Sequence, residues 1–129
     1  VDQNVTRHLE HLKERAGEWS GLILHYLGLD HIGHVEGPHG RSVRAKLLEM
    51  DRVAGRIIDL LFKLGSETGE HWLFVLTGDH GVNDRGGHGG SSHEEINTGL
   101  LLLSSVTKRM TNITRVGESL FILLDIRCS

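Results

Sequence analysis

Leu29-Asp30-His31-Ile32-Gly33-His34 and Gly78-Asp79-His80-Gly81 each place Asp and His just past an apolar run, and Gly86-Gly87-His88-Gly89-Gly90 follows the second at once. Neutral imidazole nitrogen and carboxylate oxygen are good ligands for Zn²⁺, and Mn²⁺ is also admitted by this donor set. The spacing of four between Asp30 and His34 puts both side chains on one face if the segment makes a helical turn. His88 lies between glycine pairs, so its loop can bend back to supply a third ligand. Asp79 and His80 are adjacent between Gly78 and Gly81 and can face a second ion. Two ions about 3.5–4 Å apart hold the attacking and leaving oxygens of an in-line displacement at phosphorus.

Other polar residues read more plainly. His31 and His39 read as loop residues or as groups behind the ligands, and His25 as a core or sheet-face histidine. His8, His11, His71 and His93 read as surface positions, Glu94 and Glu95 as solvated or capping groups with support behind the metal ligands as their second reading, and Asp51 as a structural residue of a helix. Trp19 and Trp72 read as core or strand-edge anchors. His88-Gly89-Gly90-Ser91 is reminiscent of a lipase oxyanion loop, but the sequence contains no Gly-x-Ser-x-Gly elbow. It also contains neither Gly-x-Gly-x-x-Gly nor a Walker A sequence.

The elements that must position these residues follow from apolar periodicity. Val5, Leu9, Leu12 and Ala16 recur at helical spacing, and Gly17 is a plausible stop, so the first 18 residues read as one helix already in progress. Residues 20–27 and 72–77 are nearly continuous apolar runs, as expected of strands covered on both faces. Between them, residues 28–41 read as a Gly- and His-rich loop. Ser42 then caps a helix whose stripe is Val43, Leu47, Met50, Ala54, Ile57, Ile58 and Leu61, with Gly65 as its stop. Residues 78–97 read as a long loop, 98–104 as a third strand and 121–126 as a fourth element.

Strand, helix, strand is a right-handed βαβ unit, so the fold class is α/β with a largely parallel sheet and crossover helices. In such sheets ligands gather beyond the carboxyl ends of the strands. Parallel strands would therefore bring Asp30 and His34 to the same edge as Asp79 and His80.

Composition narrows the classes. At 129 residues the chain can bury one modest core. Lys+Arg 14 against Asp+Glu 17 leaves a net charge of -3 and no basic stripe, which argues against a nucleic-acid partner. Histidine, at 10, and glycine, at 17, are abundant beside a single proline, Pro38. Cys128 is the sole cysteine, so neither an intrachain disulfide nor a Cys-based zinc site can form. No apolar run approaches the roughly 20 residues of a membrane span. Asn4-Val5-Thr6 and Asn112-Ile113-Thr114 fit the N-glycosylation pattern, whose use requires lumenal or secreted exposure.

At its metal motifs the chain resembles the alkaline phosphatase superfamily and, within it, the glycosylphosphatidylinositol (GPI) ethanolamine phosphate transferases. The resemblance is carried by His25-Tyr-Leu-Gly-Leu-Asp30-His-Ile-Gly-His34 with Gly37-Pro38, by Glu49-Met50-Asp51, by Gly78-Asp79-His80-Gly81, and by His88-Gly89-Gly90-Ser91-Ser92 with the run 94–98. It extends from about residue 20 to 105, with Val82 standing where the family commonly has Met.

The resemblance implies an alkaline-phosphatase-like partial domain holding two zinc ions. Asp30, His34 and His88 would hold one, and Asp79 and His80 the other. It implies an Asp and a nucleophilic Thr from an earlier part of the domain, which no residue of this chain matches. The Thr takes phosphoethanolamine from phosphatidylethanolamine and passes it to a mannose of the lipid-linked GPI precursor. The resemblance further implies the endoplasmic reticulum membrane, with the catalytic domain lumenal and membrane segments outside this chain. Residues 1–105 then read as the carboxyl-side part of the catalytic domain, an excised piece, and 106–129 as a divergent tail. A zinc phosphodiesterase of the nucleotide pyrophosphatase type and an inert metal-binding fragment are the alternatives.

Overall fold

The computed structural model describes residues 2–106 and the strand at 121–124. The expected amino-terminal helix is broken into α1 (Asp2–Thr6), α2 (Leu9–Glu14) and a 3₁₀ turn at Ala16–Glu18. The strands are β1 (Leu22–His25), β2 (Leu73–Thr77), β3 (Leu100–Ser104) and β4 (Phe121–Leu124). Three further helices complete the described chain: α3 (Gly28–Glu36), α4 (Arg41–Thr68) and the single turn α5 (His93–Ile96). The second glycosylation triplet, at Asn112, and residues 125–126 of the expected fourth element lie outside the described residues; Asn4 is exposed on α1.

The sheet order is β1-β4-β2-β3, and every ladder is antiparallel, which corrects the expectation of a largely parallel sheet. The reason is the insertion of β4 between β1 and β2: both pair with it, and neither pairs with the other. Since each runs antiparallel to β4, β1 and β2 still point the same way. Their carboxyl ends therefore share one edge, as expected, although the ladders differ.

A helix layer covers one face of this sheet. α4 turns Met50, Val53, Ala54, Ile57 and Leu61 inward into one cluster with Leu24 and Phe74, and Phe74, Met50 and Ile57 are almost wholly enclosed. Each such side chain stabilises the fold by about 1.5–3 kcal/mol through apolar area removed from water. Among the described residues the expectation of cover on both faces fails for β1, where Ile23 is 71% exposed on the other side, whereas no residue of β2 is exposed.

The helix ends also differ from expectation. α4 runs through Gly65 and stops at Gly69, whose φ of 76° supplies the left-handed cap. At its start Ser42 does not cap; its amide and hydroxyl donate to the two oxygens of Glu36, at 3.0 and 2.6 Å. Those bonds, the hydroxyl's foremost, hold the Glu36 carboxyl below its ordinary pKa.

Candidate metal centre

The segment 28–41 holds a helix where a loop is expected, and this helix is what aligns Asp30 with His34. α3 begins one residue after Leu27, and its first amides are capped from a distance. Asp2, 4% exposed, accepts from Leu27 N (3.1 Å) and Gly28 N (3.0 Å) through Oδ1. Its Oδ2 receives Lys46 Nζ at 3.0 Å, and Lys46 also donates to Glu49. Burial alone would lower the Lys46 pKa; hydrogen bonds to Glu49 and Asp2 outweigh it, so the pKa is raised. A carboxylate at a helix amino terminus is favoured by the free amides and the macrodipole, and Asp30 in the first turn shares that benefit.

All five residues expected at the site come together at the carboxyl edge of β1 and β2. Asp30 Oδ1 lies 3.5 Å from His34 Nε2, 3.4 Å from His88 Nε2 and 3.9 Å from His80 Nε2. His34 Nε2 and His88 Nε2 are 2.9 Å apart, and the His80 ring stacks on the His88 ring with centroids 3.8 Å apart. Asp79 joins through His80, its Oδ2 lying 3.5 Å from that Nε2. His80 Nδ1 lies 3.0 Å from the Gly81 carbonyl oxygen, so the neutral ring carries its proton there and turns the Nε2 lone pair inward.

Asp30 Oδ1 is enclosed and has no hydrogen-bond partner. Leaving a buried acceptor unsatisfied costs about 1–3 kcal/mol. An acceptor-only oxygen faced by three ring nitrogens is instead the arrangement a cation completes. Asp30, His34 and His88 offer ligand atoms all within 4.8 Å of one another and could hold a metal ion. His31 and His39 stand exposed, as do His8, His11, His71 and His93. Trp72 is buried, edge-on to Phe62.

The loop that presents His88 depends on glycines with no room for a side chain. Gly86 has φ +79°, and a Cβ there would collide with the Gly33 carbonyl oxygen of α3. Gly81 donates its amide to Glu95 O at 2.9 Å, and a Cβ there would enter the Glu94 and Asn97 carbonyls. Gly86→Ala is therefore expected to destabilise the chain by about 1–3 kcal/mol through the left-handed backbone and the collision together. Thermal denaturation beside Gly89→Ala, whose φ is +91° but whose surroundings are open, separates the two contributions.

No pattern in the sequence singles out Asp2, Lys46, Glu36 or Asn83. Each works through backbone amides or a distant partner. The one available signal is the alternation of polar residues with glycines in 83–90, which marks a loop needing side-chain support.

The profile of the type I phosphodiesterase / nucleotide pyrophosphatase family matches residues 1–98. The human "GPI ethanolamine phosphate transferase 2, catalytic subunit" is 52% identical over 109 residues, covering 84% of this chain and 11% of that protein. "GPI ethanolamine phosphate transferase 2" of Schizosaccharomyces pombe is 48% identical over 105 residues, or 80% of this chain and 14% of that protein. The Saccharomyces cerevisiae protein of the same name is 49% identical over 105 residues, covering 81% and 12%. The resemblance read from the motifs is thus borne out, while the chain spans only 11–14% of the length of these relatives. No solved structure matches it.

Proposed function

Because this chain belongs to the type I phosphodiesterase / nucleotide pyrophosphatase family, we propose that residues 1–105 are the carboxyl-side part of an alkaline-phosphatase-like catalytic domain that transfers phosphoethanolamine from phosphatidylethanolamine to a mannose of the GPI anchor precursor. The observation that carries this reading is the enclosed, unpartnered Asp30 Oδ1 facing the Nε2 atoms of His34, His80 and His88. In it, Asp30, His34 and His88 hold one zinc ion, and Asp79 and His80 contribute to the shell of a second. When bound, such ions lower the pKa of a nucleophilic hydroxyl and neutralise charge at phosphorus.

The chain's own residues prepare that chemistry. Asp30 and His34 are one helical turn apart on α3, so a single element sets two donors. His80 is fixed in one tautomer by Gly81 O and keeps its free nitrogen on the interior side. The Asp30 Oδ1 atom is enclosed away from bulk water, which strengthens any charge interaction there.

The reading assigns the nucleophilic Thr to a part of the protein outside these 129 residues. It also assigns the protein to the endoplasmic reticulum membrane with this domain lumenal, and attachment to segments beyond this sequence. Among the described residues, no helix is long and apolar enough to cross a membrane.

Metal analysis of the purified chain tests the site. We expect zinc to be retained after desalting and His34→Ala to weaken its binding; unchanged zinc content in the variant would reject the ligand assignment. Assay of the full-length protein with headgroup-labelled phosphatidylethanolamine tests the reaction. The family profile favours one other reading, a nucleotide-hydrolysing phosphodiesterase using the same ligands. Nucleotide hydrolysis without phosphoethanolamine transfer would decide for that reading.

A further inference from the structure

The His88 loop is hung at both ends on one pair of side chains, Asn83 and Glu95. On the amino-terminal side of His88, Asn83 Oδ1 accepts from Arg85 N and Gly87 N, each at 3.0 Å. Its main chain closes the same turn, with Asn83 N donating to Gly87 O and Gly86 N donating to Asn83 O, both at 2.9 Å. On the carboxyl-terminal side, Glu95 Oε1 accepts from Gly90 N at 3.2 Å, and Glu95 Oε2 accepts from Ser92 N at 3.2 Å. The two anchors are joined where Asn83 Nδ2 donates to Glu95 Oε1 at 3.3 Å. Gly87 and Gly90 therefore belong to one hydrogen-bonded frame, and His88 is carried between them.

Neither side chain approaches Asp30, His34 or His80 through any hydrogen bond found among the described residues, so neither reads as a ligand. The frame still decides where the His88 ring can stand. Residues 86–90 are four glycines around one histidine and carry no other side chain of their own to pack. Such a segment has high backbone entropy and needs external bonds to hold one conformation. Ser92, then Gly90 and Asn83, hold the Glu95 carboxyl below its ordinary pKa, so it is ionised at neutral pH and its hydrogen bonds are charge-assisted.

We propose that Asn83 and Glu95 are positioning residues that fix His88 against Asp30 and His34, and so set the affinity of the site for its metal. This rests on the zinc reading above. The role is that of groups behind metal ligands generally, whose loss typically costs about tenfold to a hundredfold in metal affinity.

The test measures zinc affinity of the 129-residue chain by competition with a chromogenic chelator, with amide exchange of the metal-free chain read by NMR. Glu95→Ala is expected to weaken zinc about tenfold or more and to speed exchange at Gly90, while the metal-free melting temperature moves little. Glu95→Gln keeps one acceptor oxygen and should restore part of the affinity. Asn83→Ala should speed exchange at Gly87 and weaken zinc similarly.

If Glu95→Ala binds zinc as tightly as the parent chain while His34→Ala does not, the positioning role is overturned and the metal reading stands. If the parent chain binds no zinc, the metal reading fails and takes the positioning role with it. A variant that loses zinc only because it unfolds is recognised from its melting curve, and the Gln variant then decides.

Discussion

Asp30→Ala will remove zinc binding from the chain while leaving the metal-free fold as stable as before, or more stable. The two effects have opposite signs because Asp30 does different things in the two states. Without metal, its Oδ1 is enclosed and unpartnered, with ring nitrogens no nearer than 3.4 Å. Deleting that oxygen relieves an unsatisfied acceptor, a gain of about 1 kcal/mol or more that offsets the loss of the Asp30 charge at the start of α3, worth about 0.3–1 kcal/mol.

Under the proposed zinc reading the same oxygen is a ligand beside His34 and His88, whose Nε2 atoms lie 3.5 and 3.4 Å from it. Losing a group behind a ligand already costs up to about a hundredfold, so losing the ligand should exceed that. For the parent chain, zinc at a hundred times its dissociation constant adds about 2.7 kcal/mol of stability, on the order of a 10 °C rise in melting temperature for a chain of this size. Asp30→Ala should show no such rise. A variant that melts well below the parent without metal, or still gains several degrees with zinc, would refute the role given to Asp30.

How far this site could be read in advance depended on whether the chemistry is local. Asp30, His34, Asp79, His80 and His88 stand out because ligand types sit beside glycines just past apolar runs. That the two runs point the same way also followed from the long helix between them. The ladders did not follow, because β4 inserts between β1 and β2 across a separation that no periodicity encodes. α3 was hidden for a different reason: Gly28, Gly33 and Gly37 make residues 28–41 look like a loop. The helix forms there because Asp2, 25 and 26 residues away in the chain, caps its first amides. Gly65 looked like the end of α4, yet it lies within the helix where Trp72 packs close, and a Cβ would press on the indole. Glu95 is legible as a capping group, and it does cap α5 with Ser92, whereas Asn83 is legible only as a polar loop residue because its work is done on loop amides.

Asp2→Ala is the substitution expected to cost the fold most outside its apolar core, and it should loosen the metal centre as well. Asp2 is 4% exposed and satisfies three donors: the amides of Leu27 and Gly28 and the ammonium of Lys46. Removing it strands two amides at the start of α3 and leaves Lys46, 15% exposed at its side chain, with Glu49 as its remaining carboxylate. Breaking a buried pair by deleting one partner typically costs about 3–5 kcal/mol, and the surviving Glu49 contact places this case near about 3 kcal/mol. Asp2→Asn should cost less, because its amide oxygen can still accept from Leu27 and Gly28. Lys46→Met in the Asp2→Ala background should recover part of the loss, since it removes the ammonium left without its partner.

Urea denaturation of the single and double variants measures the coupling directly. Additive losses from Asp2→Ala and Lys46→Met would show that the pair contributes nothing of its own. Because α3 carries both Asp30 and His34, Asp2→Ala should also weaken zinc under conditions where the chain remains folded. Lys46→Met alone leaves the two amide bonds to Asp2 intact and should weaken zinc less. Equal zinc affinity in Asp2→Ala and the parent chain would mean that α3 keeps its first turn without the cap.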